Sequence, residues 1–167
     1  MDSNDVLRLV QGFRHDLMNQ LQIMQGYATM GQSEKVQQKI DNLVQMYIEE
    51  RKLFQLNTPS FTLWLMQLNW HQNIRMEYVI DLYQKNLLHY DQLLLTRFQQ
   101  LVKAIEEFGD TTELYTGKIL MEGSKDDQVK VSICVVGNLK DYTSFQSVLQ
   151  QSGWESTKIN KYYFYIP

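Results

Sequence analysis

The sequence predicts an α+β protein in which an N-terminal antiparallel helical hairpin forms a dimeric four-helix bundle and is followed by an α/β sandwich domain. Three observations lead there. From Val6 to Ala28 the apolar residues recur only at spacings of three and four, the mark of one helical stripe. From Val36 to Phe54 the pattern repeats, and after Pro59 β-rich runs alternate with amphipathic helices. With 167 residues, 44 % of them hydrophobic and 12 % aromatic, the chain is long enough for a real core.

The first stripe reads Val6, Val10, Phe13, Leu17, Leu21, Met24 and Ala28. Asn4 is placed to cap its start, and Gly31, Gln32 and Ser33 to end it and cap the next helix. The second stripe, Val36, Ile40, Leu43, Tyr47 and Phe54, has Glu50 as its one charged interruption and runs to Leu56, where Asn57-Thr58-Pro59 breaks it. Residues 1–56 are therefore expected to form the hairpin and residues 57–167 the second domain. A lone hairpin has too little partner surface for two long apolar stripes. Pairing with a second copy is the economical solution, and a hairpin lying on its own C-terminal domain is the alternative.

Phe61 to Trp70 reads as a short apolar helix, Ile74 to Tyr83 as a strand, and Asp91 to Phe108 as an amphipathic helix closed by Gly109. Leu114 to Met121 and Val129 to Val136 are strands flanking the turn Gly123 to Asp127. Tyr142 to Gln151 makes another helix and Lys158 to Ile166 a final aromatic strand. One sheet with helices on a face accommodates them all.

Several function classes fall away. With 16 Lys plus Arg against 19 Asp plus Glu, net charge −3 and no basic cluster, nucleic acid is not an expected partner. No apolar run approaches the roughly 20 residues of a membrane span, and the polar N-terminus does not read as a signal peptide. One cysteine, Cys134, excludes an internal disulfide and any multi-cysteine metal site, and a reducing cytoplasm fits. Cys134 lies in an apolar run with no base nearby and is expected to be a buried, inert thiol. His71 and His89 stand outside any metal-ligand spacing and read as structural, while Glu106, Glu107 and Asp110 read as a solvated face.

His15 is different. At 3.6 residues per turn it falls almost opposite the apolar stripe, so it faces outward when the stripe faces a core. Its face carries Gln11, Gly12, Asn19, Gln22 and Gly26, small or uncharged groups without Lys or Glu. Each glycine inside a helix costs about 1 kcal/mol against alanine, so a face kept small around one histidine suggests a surface that another backbone approaches closely.

The run Arg14-His15-Asp16-Leu17-Met18-Asn19 resembles the phosphoacceptor motif of one class of two-component sensor kinases, arginine-histidine-aspartate with an asparagine four places after the histidine. It is also similar to the sporulation initiation phosphotransferase family of bacilli, and that similarity continues through the second helix into Leu56-Asn57-Thr58-Pro59 and Leu68-Asn69-Trp70. The resemblance implies a homodimer with a C-terminal domain like a degenerate histidine-kinase ATPase fold. It implies His15 as the phosphorylated residue, Asp16 and Asn19 as polar members of the same motif, and response regulators as donor and acceptor of phosphate.

Chemistry agrees, because a neutral imidazole is a nucleophile without activation and phosphoryl transfer asks mainly for positioning and charge stabilisation. Asp16 is suited to fixing the tautomer and Arg14 to offsetting phosphate charge. Gln11, Gly12, Gln22 and Gly26 are the expected docking track.

True kinases of this class hold a metal with an asparagine on one helix and adenine with a glycine-rich aspartate motif. Asp91 to Phe108 has no asparagine, and Gly109, Gly117, Gly123 and Gly137 stand alone. The expectation is therefore a relay without ATP, without bound cofactor, and with Mg2+ confined to the partner regulators. An autophosphorylating kinase and a non-enzymatic dimeric module that binds regulators are the rivals.

Overall fold

The structure, a computed structural model, describes residues 3–71, 73–82, 85–124, 128–158 and 160–167, with only the backbone for Ser3, Asn69, Trp70 and His71. The expectations for the side chain of His71, for Tyr83 and for turn residues 125–127 fall outside it. The chain divides into two compact units, Met1–Glu50 and Arg51–Pro167.

The first unit is built from α1 (Ser3–Thr29) and the greater part of α2 (Ser33–Gln55). Gly31, at φ 70°, supplies the left-handed residue that ends α1. Gln32 N–H donates to the Tyr27 carbonyl at 2.9 Å and Gly31 N–H to that of Ala28 at 3.0 Å, the paired bonds of a Schellman stop. Asn4 does not cap α1, because the helix already includes Ser3. The cap position of α2 falls to Gln32, whose carbonyl accepts from Lys35 and Val36, and Ser33 is the first helical residue. The helices run antiparallel, as the contacts of Tyr27 with Lys35 and of Gln20 with Lys39 require. Phe13, Met24, Val36 and Leu43 are half-buried. Val6, Val10, Leu17 and Leu21 on α1, and Ile40, Val44 and Tyr47 on α2, are 38–52 % exposed. Each apolar stripe thus has one shielded edge and one bare edge.

The second unit begins inside the last turns of α2, whose Leu53 and Leu56 join its core. Asn57, at φ 57°, ends that helix, and Thr58-Pro59 starts α3 (Pro59–His71), with proline at the position where its missing N–H costs nothing. Asp91, buried at the head of α4 (Asp91–Phe108), accepts from Ser60 N–H at 3.0 Å and Phe61 N–H at 2.8 Å. One carboxylate therefore satisfies two orphan donors of a helix that starts some thirty positions earlier.

The remaining elements are β1 (Ile74–Asp81), β2 (Tyr115–Gly123), β3 (Val129–Val136), α5 (Tyr142–Gln151), β4 (Glu155–Lys158) and β5 (Lys161–Ile166). They form a five-stranded mixed sheet of order β1-β2-β3-β5-β4. β1 pairs parallel to β2 across the α4 crossover, and the other pairs are antiparallel. Ile74, Met76, Ile119, Met121, Val131, Ile133, Tyr162 and Phe164 lie in one core with Leu94, Phe98, Leu101, Ile105, Phe145 and Leu149 of the helices. The expected sheet with helices on a face is present.

Two further sequence expectations need correction. The aromatic strand expected from Lys158 to Ile166 is a hairpin of β4 and β5, because Asn160 takes φ 63° and reverses the chain. Cys134 is half-buried instead of buried. The run around it is continuously apolar, yet strand alternation sends Val131, Ile133 and Val135 into the core and Ser132 and Cys134 to the other face.

Candidate functional site

Midway along α1 the His15 side chain is 74 % exposed and that of Asp16 55 % exposed. Two neighbours approach the same ring nitrogen. Asp16 Oδ1 is 3.5 Å from His15 Nδ1, and Asn19 Nδ2, one turn on, is 3.3 Å from it. A ring nitrogen with a hydrogen donates, and without one it accepts. Asp16 therefore matches the Nδ1-protonated tautomer, and the Asn19 amide the Nδ1-unprotonated one. In either state Nε2 has no hydrogen-bond partner among the described residues. The helix produces this grouping because residue i+4 returns to the face of residue i.

Gln11 and Gln22 are exposed on the same face, and Gly12 and Gly26 are half-buried. A Cβ added at Gly26 would meet nothing within 4 Å, so packing inside this chain does not explain that glycine. Arg14, one residue before His15, is exposed and makes no ion pair with Asp16 among the described residues. The structure thus brings His15, Asp16 and Asn19 together and leaves Arg14 beside them without a hydrogen bond or ion pair to them among the described residues.

The second unit has its own recess of about 280 Å3, where Asn73, Glu106, Gly109, Asp110 and Thr111 surround Tyr115. The Tyr115 hydroxyl donates to the Asn138 carbonyl at 2.5 Å and accepts from Asp110 N–H at 2.7 Å, while Asp110 Oδ1 accepts from Thr112 N–H at 2.9 Å. The two Thr112 hydrogen bonds, aided by Lys140, hold the exposed Asp110 carboxyl below its ordinary value. The lining carries two carboxylates and no cationic side chain. His89 is exposed in a 3-10 turn, Leu88–Tyr90, and no cluster of three metal-ligating side chains occurs among the described residues.

Sequence reasoning missed a second polar feature of the hairpin, a recess between the helices lined by Tyr27, Lys35, Gln38, Lys39 and Asn42. The available signal was a lysine pair at i and i+4 on α2, outside its apolar stripe.

Residues 1–56 match the SpoOB-type sensor-kinase alpha-helical domain, so the helices that carry His15 are of that class. Over 162 residues, 96 % of this chain and 84 % of the relative, the sequence is 25 % identical to sporulation initiation phosphotransferase B of Bacillus subtilis (strain 168). The likeness to sporulation initiation phosphotransferase B thus runs well beyond the helices and motif in which it was first legible. Among the described residues no helix is long and apolar enough to cross a membrane.

Proposed function

We propose that the chain is a phosphorelay phosphotransferase that takes a phosphoryl group from the aspartyl phosphate of one response regulator onto His15 and passes it to a second regulator in sporulation initiation, in the cytoplasm. The observation that carries this reading is the exposed imidazole with Nδ1 attended by Asp16 and Asn19 and Nε2 unpaired. In the tautomer that Asp16 matches, the Nε2 lone pair attacks phosphorus, an N–P bond forms, and the P–O bond to the regulator's aspartate breaks with its carboxylate as leaving group. Asp16 then faces the Nδ1–H of a ring that has gained positive charge, and Arg14 offsets phosphate charge beside it. The second transfer is the reverse of the first. Mg2+ in the regulators supplies the charge neutralisation, and this chain brings no cofactor.

In-line attack needs the aspartyl phosphate within roughly 3–3.5 Å of the ring, so regulator loops must lie almost on the α1 backbone. Gln11, Gly12, Gln22 and Gly26 serve as that docking track. The open space at Gly26 supports it. The bare edges of α1 and α2 support a homodimer in which two hairpins form a four-helix bundle, with residues 1–56 as its dimerising and phosphoaccepting part and residues 57–167 as a degenerate kinase-like domain. The absence of an asparagine from Asp91–Phe108 and of a glycine-rich aspartate motif supports relay over an ATP-using kinase.

The test is label transfer from a phosphorylated regulator and, in parallel, from ATP. Wild type is expected to take label from the regulator alone and His15→Gln from neither. Gly26→Glu is expected to slow uptake at least about tenfold, the equivalent of roughly 1.4 kcal/mol, with the dimer mass unchanged. Labelling from ATP would install the kinase instead, and full function of His15→Gln would leave a binding module.

A further inference from the structure

The recess between α1 and α2 has a volume of about 300 Å3 and is lined by Tyr27, Lys35, Gln38, Lys39 and Asn42. Gln38 and Asn42 each stand two positions from Ile40, which puts them across α2 from its bare apolar edge. The recess therefore stays open when the apolar edges pair. It holds two ammonium groups on successive turns of one helix, an arrangement of like charges that is unfavourable by itself.

Neither ammonium is neutralised. Lys35 Nζ lies 5.4 Å from the centre of the Tyr27 ring, and Lys39 Nζ donates to the neutral Gln20 Oε1 at 3.1 Å. Among the described residues no carboxylate makes an ion pair with either lysine. Of the nearby acids on α2, Asp41 accepts from Gln37 at 2.9 Å, and Glu34 is exposed outside the lining. The positive end of the α2 dipole lies within the turn that holds Lys35.

We propose that this recess is an oxyanion site, in which a phosphate or carboxylate group sits between the Lys35 and Lys39 ammonium groups. Tyr27, Gln38 and Asn42 line the same recess, and their side chains carry neutral donors. One water claims about 30 Å3 of liquid, so the recess has room for a tetrahedral anion with some of its hydration. Tyr27 is about 18 Å along α1 from His15 at 1.5 Å per residue, so the site is separate from the reacting nitrogen. The oxyanion comes either from a free anion or from an acidic side chain of a protein docked on α1. The second source rests on the phosphotransfer reading, and the first does not.

Both sources are tested on the full chain. Inorganic phosphate and acetate are titrated against chloride at equal ionic strength, with NMR shifts of the Tyr27, Lys39 and Asn42 amides as readout, for wild type and for the double variant Lys35→Gln, Lys39→Gln. A free-anion site gives a saturable response in wild type that the double variant loses. In the second arm, phosphoryl uptake from a regulator is followed at low and high salt. A docked carboxylate predicts that the double variant is at least about threefold slower at low salt and that the gap closes as screening rises. A wild-type response to phosphate in the double variant, or no saturable response together with unchanged uptake, overturns the site. If His15 takes no label at all, the anion titration still decides.

Discussion

The two halves of the chain handle their apolar side chains in opposite ways. Across residues 51–167 Phe98, Leu101, Ile119 and Phe145 are wholly buried, and β1 to β5 close over three helices of the same unit. Along the hairpin, Val10, Leu21 and Val44 are 46–52 % exposed on helices that are otherwise well formed. One unit completes its core alone, and the other has helices without a complete core. Under the proposed homodimer, the hairpin's stability should depend on protein concentration and that of the second unit should not, because surface covered by a second copy contributes only when that copy is present.

The largest effect is expected at the closed core. Phe98→Ala removes a ring that packs on Phe61 at 5.0 Å and Trp154 at 5.3 Å, and should cost about 3–5 kcal/mol in denaturant unfolding at any protein concentration. Leu17→Lys or Ile40→Lys puts a charge on the hairpin's bare apolar edge and should weaken the proposed self-association by about 2–3 kcal/mol. Light scattering at micromolar concentration checks this, and a monomeric wild type would remove the contrast altogether.

Asp91→Ala should cost about 1–2 kcal/mol, because it leaves two N–H groups at the start of α3 unpaired. The smallest effect is electrostatic. Burial holds the Glu50 carboxyl above its ordinary 4.5, so the charged form is the disfavoured one in the folded state. Its contribution is most favourable below about pH 4.5 and is lost as pH rises through the elevated value. Glu50→Gln should therefore raise the melting point slightly at pH 7 and not at pH 4, with solvent screening keeping the gain small.

Much of this contrast was legible in the sequence. Spacings of three and four put Val6 through Ala28 on one side of α1 and His15 on the other; His15 is exposed as that division requires, while of the stripe only Phe13 and Met24 are half-buried and the rest lie open. The helices Asp91–Phe108 and Tyr142–Gln151 were readable to the residue, because the first ends at a glycine and Asp141 caps the second by accepting from Ser144 N–H. The break at Asn160 was not, since a β-rich run hides a single left-handed residue that only pairing across the hairpin fixes. Nor was the side of the sheet that Cys134 takes, because a run apolar on both faces carries no alternation to read. The Lys35 and Lys39 recess depends on how α1 lies against α2, which neither helix encodes alone.

The carboxylate of Asp91 also bears on the order in which the second unit assembles. Pro59 and its neighbours begin a helix whose first-turn donors are completed only when a residue some thirty positions downstream arrives. An α3 emerging from the ribosome alone would fray at its start, and docking of α4 would lock both helices in one event. Amide exchange at Ser60 and Phe61 should then slow in step with exchange in α4 and not ahead of it, making the pair one folding unit despite the β1 strand between them.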